Sequence, residues 1–268
     1  MPTLTAPVVQ ATLGGCDGPP LAGSVSHAGG LGTLTLHAPS LESTRIRLSR
    51  LRARTLRPVL LAFTAEWEKE SILELCLEAG FRDFHVFWWN GPRLARRIQK
   101  GGGVVYWQVG TRGQADEALS QGADVLMVQG TGAGGPVRSP YPLEILLPEV
   151  RQFAGAGTPL IAGGGLATRA DVARVLALGA DAAFLGTRFL LSQEANAPWA
   201  HKQRLLRAQS EALVLDTRLV GNWPCSPRRR LATRTQPDCG SLFAGMGLSQ
   251  MRDLPSAAEL VVRLSAGL

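Results

Sequence analysis

The chain alternates between short apolar runs and longer amphipathic segments. Eight of the apolar runs are bounded by turn-forming residues and predict β-strands. Their bounds are 7–11, 31–36, 58–63, 84–89, 104–109, 125–129, 159–163 and 182–186. Because most of these runs are apolar nearly throughout, they indicate strands buried on both faces, as in a parallel sheet covered by helices.

Between most of these strands, apolar residues recur three and four positions apart, which predicts helices. The segments are 41–54, 66–80, 91–101, 113–123, 142–157 and 168–180, several of which close on glycine, as helices often do. This alternation predicts an α/β fold, a (β/α)₈ TIM barrel that forms a single domain over residues 1–268. A doubly wound open sheet is the alternative that the pattern leaves open.

The last part of the chain, residues 195–268, departs from the alternation. It contains a basic, proline-rich stretch that we expect to be a loop, with the run Arg228, Arg229 and Arg230. It ends in the amphipathic segment SAAELVVRLSAG, which predicts a helix. We therefore expect a C-terminal helical extension packed on the barrel.

Composition narrows the class of protein. The formal charge is +7, but the arginines are scattered over helices and have no interleaved aromatic residues, so we expect no nucleic-acid partner. No apolar run is long enough to span a membrane, and the start MPTLTAPVVQ lacks a secretory pattern. The four cysteines form no C-x-x-C pair, and no histidine stands beside them at metal-ligand spacing. These features predict a cytoplasmic protein with reduced thiols and no metal site.

The loops after the seventh and eighth predicted strands indicate a phosphate site. In a TIM barrel the active site lies at the C-terminal ends of the strands, and these two loops commonly bind phosphate through main-chain N–H groups. Here they carry Gly163, Gly164 and Gly165, then Gly186 and Thr187. The glycines leave the main chain accessible, Thr187 adds a hydroxyl, and a helix is expected to begin there.

Glycine-rich main chain also follows the sixth predicted strand, at Gly134 and Gly135, and the first, at Gly14 and Gly15. A flat ligand lying across the barrel mouth would need main chain close to its faces. Gln129, at the end of the sixth strand, is placed to hydrogen-bond the edge of such a ligand. One phosphate and one planar ring with polar edges match flavin mononucleotide, FMN.

Several longer stretches carry a family resemblance, in the same order along the chain. They are PVVQATLGG, SHAGGLGTL, QVGTRGQADEALSQGADVLMVQGTGAGG, PLIAGGGLATRADVARVLALGADAAFLGTRFLLSQEA and GMGLSQMRDLPSAAELVVRL. The chain resembles the nitronate monooxygenases, formerly called 2-nitropropane dioxygenases, whose relatives include FMN-dependent enoyl-ACP reductases. The resemblance covers most of the chain, with residues 200–240 poorly matched. It implies an FMN-dependent TIM-barrel oxidoreductase that oxidises a small anionic substrate, such as an alkyl nitronate, with O₂.

The resemblance also implies which residues contact FMN. The main chain around Ala11, Thr12 and Leu13 would lie under the ring. The other contacts would come from the ends of the sixth, seventh and eighth strands: Gln129, Gly134, Gly164, Gly165, Phe184, Leu185, Gly186 and Thr187.

Three positions depart from the family pattern. The family usually has A-P-M where this chain has residues 11–13, and an Asn where it has Ala62. The third departure is Pro136, which stands where the family has a histidine that acts at the substrate. A positioned general base contributes roughly 10²–10⁴-fold to a rate, and proline has no ionisable group to replace it.

Three hypotheses accommodate Pro136. The substrate arrives already anionic and needs no base, or another residue takes the role, or the protein binds flavin with little turnover. An NAD(P)H-dependent flavin reductase, related to the enoyl-ACP reductases, is a further alternative.

The first candidate for a replacement catalytic residue is His37, which closes the second predicted strand, although it could simply cap the helix that starts near Ser40. We expect His85, near the start of the fourth predicted strand, at the far end of the barrel. Trp88, Trp89 and Trp107 end strands and would either wall a substrate pocket or pack in the core.

Overall fold

The computed structural model describes residues 1–36, 40–64, 70–87, 91–217, 226–232 and 243–268. Eight parallel strands form its main sheet, in the order β1-β9-β8-β6-β5-β4-β3-β2. They are β1 (Val8–Gln10), β2 (Gly32–Thr35), β3 (Val59–Thr64), β4 (Asp83–Phe87), β5 (Val104–Val109), β6 (Val125–Gln129), β8 (Leu160–Gly163) and β9 (Ala182–Leu185). Each overlaps one of the eight predicted strands, so the TIM barrel is confirmed.

The sheet closes between its first and last strands. Val9 of β1 bridges Leu31, which directly precedes β2. The buried side chain of Gln10 extends this short contact, because its Oε1 accepts a hydrogen bond from the main-chain N–H of Thr33 at 3.0 Å. The Thr33 hydroxyl donates back to the Gln10 carbonyl. Side-chain hydrogen bonds therefore complete a seam with little main-chain pairing.

Helices follow the strands and cover the outside of the barrel, as the amphipathic segments predict. They are α1 (Pro19–His27), α2 (Leu41–Arg52), α3 (Glu70–Glu78), α4 (Gly91–Lys100), α5 (Arg112–Ser120), α6 (Leu143–Ala154), α7 (Arg169–Ala177), α8 (Thr187–Leu190), α9 (Trp199–Arg207) and α10 (Ala257–Ser265). A helix begins at Thr187, as expected, but α8 is a single turn. The structure also contains α9, which lies within the predicted C-terminal helical extension.

The barrel has an inner and an outer apolar layer. Side chains such as Val9, Leu60, Tyr106, Met127 and Ile161 fill the interior of the barrel. The larger outer layer lies between the strands and the helices. Successive side chains of a strand point to opposite faces, so each barrel strand contributes to both layers.

Trp107 belongs to the outer layer, so of its two predicted places, a pocket wall or the core, the structure shows the core. The neighbouring Tyr106 and Gln108 point inward instead. The other two tryptophans considered for such a wall, Trp88 and Trp89, lie outside the described residues.

The C-terminal helix α10 takes the position of the barrel's eighth outer helix. It packs between α7 and α1 and also contacts β1. The one-turn α8 is too short to cover this part of the sheet. Residues 191–256 therefore form a long connection between α8 and α10, here called the excursion, before α10 completes the ring.

The basic stretch within this excursion is partly a strand, which corrects the expectation of a loop. Arg228–Leu231 forms β11, which pairs antiparallel with β10 (Leu213–Asp216) on one side. On its other side β11 pairs with β7 (Gly135–Pro136), in the loop after β6. The excursion is thus joined by main-chain pairing to the mouth of the barrel.

A buried arginine anchors the end of the excursion. Arg188 of α8 donates to Asp253 Oδ1 at 2.9 Å and to the carbonyl oxygens of Asp253 and Leu191. Its side chain is almost fully buried, whereas that of Asp253 is about half exposed. Within the described ranges, no helix combines the length and the apolar character needed to cross a bilayer.

Candidate functional site

A cavity of about 330 Å³ opens at the C-terminal ends of the barrel strands. This volume is within the range of small-molecule sites in proteins. Its wall combines strand ends, glycine-rich loops and the C-terminal excursion. The lining residues are Ala11, Thr12, Leu13, Gly14, Thr33, Thr35, Ala62, His85, Gln108, Met127, Gln129, Ala133, Gly134, Gly135, Pro136, Gly164, Gly165, Leu166, Phe184, Leu185, Gly186, Thr187, Leu190, Arg228, Phe243, Gly245, Gly247 and Met251.

The structure brings together all of the cofactor-binding residues expected from the sequence except one. Gly163 does not line the cavity, because its Cα packs against Phe184: a Cβ at this position would lie 2.7 Å from the Phe184 ring. His37, the candidate catalytic residue, lies outside the described residues.

Main-chain donors without protein partners cluster after β8 and β9. Within the described part of the chain, the N–H groups of Gly165, Gly186 and Thr187 donate to no protein acceptor. Gly186 leaves open space beside these groups: a Cβ there would meet only Ala11 and Leu13, at 3.7 and 3.8 Å. This corner of the cavity is therefore suited to an anionic group bound by main-chain donors.

The loop after β6 is rich in glycine partly for a reason other than the close approach of a ligand that the sequence suggested. The Gly132 carbonyl accepts from the Met246 N–H at 2.9 Å, and a Cβ on Gly134 would lie 2.5 Å from the Ala244 carbonyl carbon. Contact with another segment of main chain thus excludes side chains here. Gly135 differs, since a Cβ there would meet only the Phe243 ring at 3.8 Å.

Gln129 holds this loop in shape. Its Nε2 donates to the Pro136 carbonyl at 3.1 Å, and its Oε1 accepts from the Arg138 N–H at 2.7 Å. The amide that we expected to bind a ligand edge therefore makes two hydrogen bonds to its own loop. Contact between Gln129 and a ligand stays a prediction.

A buried carboxylate positions the loop after β1. Asp17 accepts from the Leu13 N–H at 2.9 Å, from the Thr35 N–H at 3.0 Å and from the Thr35 hydroxyl at 2.6 Å. These bonds fix residues 11–13 against the end of β2. The loop that lines one side of the cavity is therefore held by β2.

The excursion supplies a cationic wall that the sequence did not identify as part of the site. Arg228 lines the cavity and pairs in register with Pro136. Arg229 donates to the carbonyl oxygens of Thr131 and Ala133, at 2.8 and 3.2 Å, and so ties β11 to the glycine-rich loop. The basic run was visible in the sequence, but its pairing partner was not.

His85 corrects another expectation, because it lines the cavity instead of lying at the far end of the barrel. It occupies the middle of β4, points into the barrel and is only 2% exposed. Burial lowers the pKa of His85 to about 4. The imidazole is therefore neutral near pH 7.

The described lining contains two kinds of ionisable side chain, a neutral histidine and an arginine, and no carboxylate. Pro136 adds no ionisable group. The cavity can thus hold negative charge, but its described wall offers little for taking a proton from a neutral substrate.

Comparison with known proteins finds a matching family. A model of the nitronate monooxygenase family matches residues 86–235, more than half of the chain. Nitronate monooxygenase of Neurospora crassa is 30% identical over 235 residues, which cover 72% of this chain and 62% of that protein.

A second relative carries a different name. The (3aS,4S,5R,7aS)-5-hydroxy-7a-methyl-1-oxo-octahydro-1H-indene-4-carboxyl-CoA dehydrogenase of Mycobacterium tuberculosis is 33% identical over 229 residues, 85% of this chain and 63% of that protein. The chain therefore spans about three fifths of the length of these curated relatives.

Solved structures agree with the fold. Nitroalkane oxidase from Streptomyces ansochromogenes superposes with a TM-score of 0.85 at 26% identity, covering 98% of this chain and 96% of that one. FabK from Thermotoga maritima gives a TM-score of 0.88 at 22% identity, covering 97% and 92%.

The buried His85 predicts a stability change in mild acid. Its folded-state pKa of about 4 lies below the usual value of 6.5, so the unfolded chain takes up the proton first as pH falls. The stability associated with the neutral imidazole is complete above about pH 6.5 and is lost as pH falls towards 4. At about 1.4 kcal/mol per pKa unit, the loss approaches about 3 kcal/mol.

Urea denaturation between about pH 7.5 and pH 4 measures this loss as a change in unfolding free energy. His85→Phe should reduce the slope in that range, whatever its effect near pH 7. Parallel stability curves for the two proteins would contradict the assignment.

Proposed function

The chain belongs to the nitronate monooxygenase family, and we propose that it is an FMN-dependent oxidoreductase that oxidises a small anionic substrate with O₂. An alkyl nitronate is the expected type of substrate. Enzymes of this family use a flavin, which makes a flavin the expected cofactor here; FMN in particular is part of the proposal.

The observation that carries the proposal is the set of N–H groups without protein partners after β8 and β9. Gly165, Gly186 and Thr187 offer these donors at one corner of the cavity, beside the open space at Gly186. A single phosphate fits this chemistry, because main-chain N–H groups bind oxyanions without bulky side chains. The Thr187 hydroxyl accepts from the Gly245 N–H at 2.9 Å and holds the excursion beside the same corner.

The remaining cavity wall fits the flat ring of FMN. Main chain from residues 11–13 lies on one side, and the loop with Gly134 and Gly135 contributes another part of the wall. Apolar side chains such as Met127 and Leu166 add surface for the ring. Bound FMN would accept two electrons from the substrate and pass them to O₂.

The charges of the wall support an anionic substrate. Pro136 cannot remove a proton from a neutral nitroalkane, and burial makes His85 a weak base by lowering its pKa to about 4. Arg228 brings positive charge to the wall beside Pro136. A preformed nitronate needs no general base, and a nearby cation would favour its binding.

Reductase or dehydrogenase chemistry is the second candidate. The dehydrogenase named among the relatives favours it. In that case a reduced nicotinamide nucleotide or another hydride donor would reduce the flavin. A flavin-binding protein with little turnover is the third outcome to be distinguished.

One set of spectra distinguishes these functions. The protein, saturated with FMN and freed of oxygen, is mixed with an alkyl nitronate or with a reduced nicotinamide nucleotide. Bleaching by the nitronate supports the oxidase or monooxygenase function, and bleaching by the nucleotide supports the reductase. Bleaching by neither leaves a binding function, and failure to bind FMN would refute all three.

Gly186→Ala tests the phosphate corner. The protein alone has room for the added methyl, but the methyl would occupy space assigned to FMN. Overpacking costs about 1–3 kcal/mol, so we expect the Kd for FMN to rise about tenfold or more. Quenching of FMN fluorescence measures the Kd.

Gly157→Ala is the matched control for that change. Gly157 is exposed, does not line the cavity and has nothing within 4 Å of an added Cβ. Both variants should unfold within about 0.5 kcal/mol of the parent protein. Equal FMN affinity in the two variants would exclude Gly186 from the phosphate corner.

Pro136→His tests the role of the missing base. The carbonyl at this position, which accepts from Gln129, is retained by histidine. We expect the rate with a neutral nitroalkane to rise about 10²-fold relative to the rate with its nitronate. Steady-state oxygen consumption with the two forms of one substrate gives this ratio.

The matched control is Pro140→His, which places histidine at an exposed proline outside the cavity. It should leave the ratio unchanged. If Pro136→His also leaves it unchanged, the absence of a base at this position does not limit the reaction.

A further inference from the structure

A patch of basic residues lies at the end of the barrel opposite the cavity. Residues 41–57, which form α2 and its connection to β3, contain six arginines and one carboxylate, Glu42. Because this connection precedes a barrel strand, it lies at the N-terminal end of the barrel, whereas the cavity opens at the C-terminal end. The basic patch is defined as the arginines at that end with the leucine among them: Arg50, Arg52, Arg54, Leu56, Arg57 and Arg82.

Three arginines of the basic patch differ from the arginines that stabilise the fold. Ion pairs with carboxylates hold six arginines elsewhere in the described chain: Arg97, Arg151, Arg174, Arg188, Arg230 and Arg263. Arg50, Arg54 and Arg57 are exposed and form no ion pair with any residue that the structure describes. Their charges therefore face solvent, where a negatively charged partner can reach them.

Two further arginines are fixed at the C-terminal end of α3. Arg52 lies over the Phe81 ring, 3.8 Å from its centroid, and donates to the Ala79 carbonyl at 3.4 Å. Arg82 donates to the carbonyl oxygens of Leu77 and Phe81, both at 2.8 Å. Burial lowers the pKa of Arg52, and the nearby charge of Arg82 lowers it further. Both guanidinium groups are thus held close together without a carboxylate between them.

An apolar side chain stands among these charges. Leu56 is 86% exposed, more than any other large apolar side chain in the described part of the chain. Arg54 precedes it by two residues, and Arg57 follows it directly. A single exposed leucine needs no explanation of its own, but one flanked by cations has a specific use. Arginine side chains can keep their charge beside lipid phosphates while an apolar neighbour reaches below them.

We propose that the basic patch docks the protein on the surface of an anionic lipid membrane. The arginines contact the lipid phosphates, and Leu56 inserts among the headgroups. The cavity, at the other end of the barrel, faces away from the membrane and stays open to its substrate. This inference does not rest on the proposed function, because no residue of the basic patch lines the cavity.

The arrangement favours lipid over an acidic protein as the partner. A protein would need a pocket that matches Leu56, and leucine is under-represented among the residues that dominate protein interfaces. A bilayer accepts one apolar tip without a pocket, and each arginine near an anionic membrane strengthens binding by about fivefold. Glu78, exposed in the last turn of α3, opposes this attraction, but the five arginines outweigh its charge.

Co-sedimentation of the full chain with lipid vesicles tests the docking. The vesicles contain either phosphatidylcholine alone or an equal mixture of phosphatidylcholine and phosphatidylserine. We expect binding to the mixed vesicles only. Because the charges of the basic patch are exposed, this binding should weaken as the salt concentration rises from about 0.05 to about 0.5 M.

The double variant Arg54→Gln, Arg57→Gln removes two charges and keeps the part of Arg54 that lies against Gly23. We expect the vesicle partition coefficient to fall about 25-fold, about fivefold for each arginine. The matched control is Arg93→Gln with Arg96→Gln, which removes two exposed charges from α4. These two residues lie towards the cavity end, so screening over about 10 Å should keep the control within about threefold of the parent.

Leu56→Ser tests the insertion of the apolar tip. We expect the partition coefficient to fall about tenfold or more, as for the loss of one buried leucine. Ile145→Ser is the matched control, because Ile145 on α6 is also well exposed, at 61%. Leu56→Trp should bind the mixed vesicles more strongly, because tryptophan favours the membrane interface. A poorly folded variant would not produce that gain.

Each other result overturns a stated part of the proposal. A parent protein that binds neither kind of vesicle refutes membrane docking. Equal binding by the parent and the double arginine variant refutes the assignment to the basic patch. Unchanged binding in both Leu56 variants refutes insertion and leaves attraction between charges alone. If soluble polyglutamate binds and mixed vesicles do not, the partner is an acidic protein instead of a membrane.

Discussion

Close contact between main-chain segments at the barrel mouth is the constraint on which the site depends. The loop after β6, the loop after β8 and residues 243–247 meet there with almost no side chains between them. The Met246 N–H donates to the Gly132 carbonyl, and a Cβ on Gly245 would lie 2.9 Å from that same oxygen. The wall of the cavity is therefore largely main chain, and it offers peptide donors that side chains would otherwise cover.

This constraint also explains why the eighth helix comes late in the sequence. After α8 the chain crosses the mouth, pairs β11 with the loop after β6, and contributes Phe243, Gly245, Gly247 and Met251 to the wall. Only then does α10 fill the gap between α7 and α1. Arg188 fixes the end of the excursion by its hydrogen bond to Asp253. The excursion is thus part of the site as well as a cover for the barrel.

The sequence predicted what local patterns determine. Continuous apolar runs located the eight strands, and the rule for TIM-barrel active sites located the glycine-rich corner. It missed the pairing of Arg228 with Pro136, because the two are distant in sequence and β7 is only two residues long. It also placed His85 at the wrong end of its strand. Polar residues inside otherwise apolar strands, His85 and Gln108, were the available signal for an inward-facing site.

The described cavity wall offers hydrogen-bond donors and a positive charge but no carboxylate, and this limits its chemistry. Among the described residues, the N–H groups after β8 and β9 and Gln108 Nε2 on the opposite side are donors without protein partners. Arg228 adds positive charge, whereas the described wall contains no carboxylate. Such a wall favours ligands rich in acceptor atoms, because each buried donor needs a partner. A phosphate, ring carbonyls and a nitronate share that property, whereas a neutral nitroalkane would still require a base that Pro136 does not provide.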